Sequence, residues 1–203
     1  MIIMYNIQLK PYQSYYTNTP EGFVNVQPAY AVMVHGDDVR FTLRLPKIPA
    51  NIYNKIVSLF KKYAQLYNVE CLARIFWDIN EEKYNLVIPS QHASLTSVYP
   101  LQQEYDDWLI SHIPVLEVHS HGIAFSAFFS SVDDADEIMR NQMYGVFSFQ
   151  KGINAAEDNL FRVCNGSPDR VISIQKESLF EDSEFEYDAS FVRSIMEREK
   201  IKM

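Results

Sequence analysis

Cysteine is nearly absent from this chain: two residues, Cys71 and Cys164, in 203. Such a pair is no disulfide framework, and each lies in an apolar run where a buried, inert thiol is expected. Long hydrophobic runs are missing too. No stretch of about 18 apolar residues could cross a bilayer as a helix, and the opening segment is too short and polar for the core of a secretion signal. Positive charge is scarce, with 18 Lys and Arg to 26 Asp and Glu, a net charge of −8. That excludes the electrostatic footprint of a nucleic-acid binder. The expectation is a soluble, cytoplasmic protein with neither a membrane nor a nucleic-acid partner. Glycine is sparse as well, at six residues, whereas thirteen Tyr and thirteen Phe suit a pleated sheet.

Residues 1–29 carry Pro, Asn, Thr and Tyr without periodicity and read as an irregular arm, with room for a short strand at Met1–Leu9. Tyr30–Val34, the turn at Gly36-Asp37 and Val39–Leu45 read as a hairpin. In its second strand Val39, Phe41, Leu43 and Leu45 alternate with Arg40, Thr42 and Arg44, one face buried and one wet. His35, at the turn, reads as solvated. From Ala50 the period changes: Ile52, Ile56, Leu59, Phe60 and Tyr63 define an amphipathic helix to Tyr67, with Lys55, Lys61 and Lys62 on its wet face. Asn68–Asp78 reads as a buried strand and Tyr84–Pro89 as its return. A Ser-rich loop follows to Pro100, then a short helix over 101–112 and an apolar strand from Ile113. Val132–Met143 fits a helix capped by Ser131 with Asp134 three residues on. Tyr144–Phe149 is a strand, and Asn159–Cys164 with Val171–Ile174 a second hairpin. Glu181–Glu186 is an exposed acidic linker, and Ala189–Lys202 a terminal helix. Helices interspersed with a mainly antiparallel, curved sheet place the chain in the α/β or α+β class.

Chemistry concentrates in residues 117–137, EVHSHGIAFSAFFSSVDDADE. Side chains alternate along a strand, so His119 and His121 point the same way, roughly 7 Å apart, close enough to share one metal ion. The acidic run after Ser130 starts a helix and brings a carboxylate near the strand end. Two imidazoles and one carboxylate form a zinc ligand set that leaves the fourth position to water. Two exposed histidines, and acidic residues that only cap a helix, would give the same pattern with no metal. Two glutamates compete as general base. Glu117 shares the strand face of the histidines. Glu70 sits in an apolar strand, where a carboxylate costs on the order of several kcal/mol unless it reaches water, a partner or a metal. Periodicity does not choose between them. His92 and His112 are spare imidazoles that read as surface residues.

Glu70, His119-Ser-His121 and Ser130-Ser-Val-Asp133, in that order, resemble the JAMM motif of the MPN (JAB) domain family: a distant Glu, then H-x-H-P, then S-x-x-D. The helix 50–67, the segment Val87-Ile-Pro-Ser and the run Ala127-Phe-Phe-Ser-Ser-Val-Asp agree with the family's flanks, across residues 30–150. The resemblance implies an MPN/JAB-like curved sheet with flanking helices over 30–178, a cytidine-deaminase-like sandwich being one form of it. The arm 1–29 would precede it and the linker and helix 179–203 follow. It also implies a zinc metallopeptidase of prokaryotic type or an isopeptidase, acting on a peptide or a ubiquitin-like protein tail. His119, His121 and Asp133 would hold Zn2+, Glu70 would be the base, and Ser130 would help stabilise the oxyanion. Glu117 stands where the family commonly has a small residue, which disfavours it as base.

Two departures from the pattern are local. Gly122 replaces the Pro after the second His. The segment between His121 and Ser130 is one residue longer than usual, so Asp134 stays open as a ligand, although the S-x-x-D spacing favours Asp133. Two further readings keep part of the site. A catalytically inactive MPN-like interaction module would bind a partner without zinc, and a zinc hydrolase of a non-peptide bond would keep the metal and change the substrate.

Overall fold

Among the residues that the computed structural model describes (8–10, 13–19, 22–101, 110–123, 125–150 and 158–203), three α-helices accompany mostly antiparallel sheets. The mixed α and β class matches the expectation. Helix α1 (Ala50–Tyr67) has the predicted bounds, and buries Ile56, Leu59, Phe60 and Tyr63 along one side. Asn68 ends it in the left-handed conformation, φ 52°, returning its N–H to the Ala64 carbonyl. The wet face is not fully wet. Helix α3 (Ala189–Glu197) lies near it, and the Lys55 and Lys61 ammonium groups stand 5.6 and 5.9 Å from the Phe191 and Phe185 ring centres.

The central sheet has six strands: β5 (Leu72–Asp78), β6 (Lys83–Val87), β9 (His112–Ser120), β10 (Asn141–Phe147), β11 (Asn159–Asn165) and β12 (Ile172–Ile174), in spatial order β12-β11-β10-β9-β5-β6. Its pairs are antiparallel except β9 with β10, which run parallel. A parallel pair needs a crossover. Here the crossover carries helix α2 (Ser131–Glu137). One face of the sheet, with Ala73, Val118, Phe147 and Phe161, packs on α1, where the Phe60 and Phe147 rings meet edge to face at 5.8 Å. The other face carries a polar row. Arg74, Glu117, Tyr144 and Arg162 lie side by side across β5, β9, β10 and β11.

Two smaller sheets flank this one. Strands β1 (Tyr15–Thr19), β2 (Gly22–Val26), β3 (Tyr30–His35) and β4 (Asp38–Leu43) form an antiparallel meander. Tyr15–Thr19 and Gly22–Val26 are therefore strands where an irregular arm was expected. They are held partly through polar groups: the Asn25 amide donates to Asn165 Oδ1, and the Arg170 guanidinium sits 4.3 Å above the Phe23 ring. Most of the strand suggested at Met1–Leu9 lies outside the described residues, as does most of the helix expected over 101–112.

The third sheet is β13 (Ile201–Lys202), β7 (Gln91–Ala93) and β8 (Val98–Pro100). It corrects two expectations. Residues 91–100 are a hairpin and not a loop, and the terminal helix stops at Glu197, after which Glu199 turns at φ 50° and Ile201 joins β7. Leu179 and Phe180 are buried in the core beside Ile48. The acidic linker is exposed as expected, and Glu181 Oε2 accepts the Ala50 N–H at the start of α1, at 3.3 Å.

Helix α2 also differs from its reading. It ends at Glu137, not Met143, because Asn141–Phe147 pair in the sheet and bury Met143 against Leu116. Its cap is Ser130 with Asp133, one residue before the predicted pair.

Candidate metal centre

Strand β9 delivers His119, and the chain stays in register for one residue more, since His121 N–H donates to the Phe147 carbonyl at 2.7 Å. That continuation of the strand aims both rings to one side. Their centres lie 5.3 Å apart with planes inclined at 46°. Asp133, from the first turn of α2, completes the group, and one ligand atom from each residue falls within 4.8 Å of the others. Asp133 Oδ1 is 3.4 Å from His119 Nε2. These three residues could hold a metal ion.

The fit rests on unsatisfied atoms. His119 and His121 are 7% and 5% exposed, and His119 Nε2 and His121 Nδ1 are buried without a hydrogen-bond partner. A buried polar atom left so costs about 1–3 kcal/mol, and native folds rarely carry two side by side. A shared cation on the two lone pairs removes both costs. The protonation states agree. Burial drops the His119 imidazole to about 4 against the pull of Asp133, and burial also lowers His121. Both rings are therefore neutral at neutral pH, the form that binds a metal.

Asp133 and Ser130 are held by a reciprocal cap. Ser130 N–H donates to Asp133 Oδ2 at 2.6 Å, and Asp133 N–H donates to Ser130 Oγ at 3.3 Å. The cap fixes the carboxylate while leaving Oδ1 directed at the histidines. Ser130 Oγ, used there as an acceptor, keeps its own proton to donate. Asp134 is turned elsewhere, onto Arg162 Nη1 at 2.6 Å.

Glu70 lies just ahead of β5, not inside it, because pairing with β9 begins only at Leu72, opposite His119. Its N–H donates to the Ser94 carbonyl at 2.8 Å, so the β7–β8 hairpin supports it. Burial first, then the nearby Asp133 carboxylate, push its pKa up to about 8. That interaction ties Glu70 to the His–His–Asp group, and a carboxyl titrating near neutrality suits a general base. Glu117 is committed to Arg74, 2.5 Å away. His112 is buried, not superficial, among Asp78, Asn85 and Ser111 at the other end of β9, whereas His35 and His92 are exposed. Both cysteines are buried and free, with thiol pKa values raised by burial, Cys164 to about 11.

Other residues that shape the site escaped the sequence reading. The loop from His121 to Ser130 is tied down by Asn68 Oδ1, which accepts from Ile123 N at 2.9 Å. Asp158 accepts from Ala127 N at 3.2 Å, and Ser148 Oγ donates to the Phe125 carbonyl. The Phe128 ring stands edge-on to His121 at 4.7 Å. The only available signal was the run of aromatics within the loop, which periodicity cannot assign to a face. No helix among the described residues is long and apolar enough to span a membrane. No family model and no curated protein matches the chain.

Proposed function

We propose that this chain is a zinc-dependent metallopeptidase or isopeptidase of the JAMM type, hydrolysing an amide bond in a peptide or a ubiquitin-like protein tail. The observation that carries the reading is the pair of buried imidazole nitrogens left without a hydrogen bond beside Asp133, with Glu70 close enough for the Asp133 charge to raise its pKa. Helix capping by itself accounts for Ser130 and Asp133. It does not account for the two nitrogens.

His119, His121 and Asp133 would hold the zinc. Bound there, zinc supplies Lewis-acid polarisation of the scissile carbonyl and lowers the pKa of a water towards about 7. Glu70 takes a proton from the attacking water and returns it to the leaving amine, which its near-neutral pKa permits in both directions. Ser130, fixed by its cap, donates its hydroxyl proton to the developing oxyanion. The mixed, mostly antiparallel sheet with helices beside it supports an MPN-like architecture, and the site lies where the lone parallel pair among the described strands of the central sheet is bridged by α2.

The test is metal content and activity together. Protein supplied with Zn2+ should bind about one ion per chain, and His119→Ala should lose the ion and the activity together. Glu70→Gln should keep the ion and lose activity on peptide or ubiquitin-isopeptide substrates. Wild-type protein that takes up no zinc ends this reading. Zinc uptake with turnover only of phosphoesters moves it to another bond.

A further inference from the structure

Helix α2 has an unusual attachment. It is seven residues long, too short to persist unaided. Its one buried residue is the charged Glu137, and Val132 is 62% exposed. Apolar packing therefore does not fix how the helix is rotated. Yet that rotation decides where Asp133 Oδ1 points.

Arg162 supplies what packing does not. It rises from β11 in the polar row and is 4% exposed. Its Nη1 donates to Asp134 Oδ1 at 2.6 Å, and its Nε and Nη2 reach Glu137 Oε2 at 3.1 and 2.7 Å. Its guanidinium carbon lies 3.8 Å from the centre of the Phe129 ring. One planar group thus grips residue 129, just ahead of the cap, residue 134 beside the ligand and residue 137 at the helix end. Ser130 and Asp133 lie between these grips.

We propose that Arg162 is the positioning residue of the metal centre, clamping α2 to the sheet so that Asp133 Oδ1 faces His119 and His121. This rests on the metal reading above. A lysine cannot substitute, because the clamp needs a planar fork that serves two carboxylates and a flat face that stacks on Phe129.

The test compares Zn2+ affinity, by competition with a chromophoric chelator, and the visible spectrum of the Co2+-loaded protein, across wild type, Arg162→Lys and the double variant Arg162→Met/Glu137→Gln. The double variant removes the buried carboxylate together with its cation, so that neither is left unpaired. Circular dichroism of the metal-free proteins identifies the folded variants. A folded variant should bind Zn2+ at least about tenfold more weakly, as outer supports of metal ligands generally do. Its Co2+ bands should change in intensity, which a lost surface contact would not cause. Unchanged bands with a smaller loss overturn the clamp and leave the metal reading standing. If neither variant folds, Arg162 serves the fold and the proposal is overturned. Wild-type protein that binds neither ion removes the metal reading, and the clamp with it.

Discussion

Asp133 turns one carboxylate oxygen to His119 Nε2, 3.4 Å away, and keeps the other on the backbone N–H of Ser130, 2.6 Å away. The two jobs separate by substitution. Asp133→Asn keeps an oxygen for the cap, whereas Asp133→Ala loses both functions. Both variants should lose zinc, but only the alanine should also lose about 1 kcal/mol of stability, the usual worth of a cap. Denaturant titration of the metal-free proteins reads the difference. Equal stability of the two variants would show that the cap contributes nothing.

Glu70 makes the metal-free protein sensitive to alkali. Its pKa is 4.5 in an ordinary setting and about 8 here, so the folded chain holds the proton where the unfolded chain has released it. The stabilisation is complete below the lower value and is lost as pH rises through the higher one. Unfolding free energy of the metal-free protein should fall between about pH 5 and pH 9, and Glu70→Gln should flatten that slope. Parallel slopes for the two proteins refute the assignment. With zinc present, the same substitution should reduce kcat by about 10²–10⁴.

Gly122 follows His121 directly, and a side chain there would have to displace that of Asn68. A Cβ there would fall 2.3 Å from Asn68 Oδ1, the atom that accepts from Ile123 N. Gly122→Ala should cost about 1–3 kcal/mol and weaken metal binding by displacing the segment after His121. In an Asn68→Gly background, which keeps the left-handed turn and removes the obstacle, the same change should cost less. A double-mutant cycle with no coupling would place the strain elsewhere.

Gly145 is the corresponding point in the core. A Cβ on it would lie 2.6 Å from Phe161 Cδ1 and 3.0 Å from Val118 Cγ1. Phe161 has little freedom to move, with the Phe147 and Phe180 ring centres 5.7 and 5.6 Å away. Gly145→Ala should destabilise by about 1–3 kcal/mol with the metal ligands untouched. Thermal denaturation with an unchanged midpoint would contradict the packing described.

Where one element's own period determined its fate, the sequence was legible. Helix α1 appears with the predicted bounds because its apolar residues recur at three and four and its partner face is continuous. His119, His121 and a nearby carboxylate could be anticipated because strand alternation and a helix start are local rules, whereas Asp133 was favoured over Asp134 only by the S-x-x-D spacing of the resemblance. Legibility failed where distant partners decided. Tyr15–Thr19 and Gly22–Val26 carry no strong alternation, and they are ordered as strands by β3 and by Asn25 meeting Asn165. The residues after Glu137 follow a helical pattern in isolation, but pairing with β9 claims them for the sheet. Ser130 was missed as the cap because Ser131 with Asp134 has the same spacing. Only the geometry, which gives Asp134 to Arg162, separates the two pairs.

The short strand at Ile201–Lys202 has a consequence in time. It lies beside β7, and the Gln91 N–H is satisfied by the Lys200 carbonyl. Gln91 in turn holds the backbone of Leu72 from both its N–H and its C=O, next to Glu70. On a ribosome, the residues from Glu70 to Asp133 emerge well before residue 200. His119, His121 and Asp133 can therefore come together while the support beside Glu70 is still unmade. The backbone around Leu72 and Glu70 is then among the last parts of this region to be fixed as the chain grows.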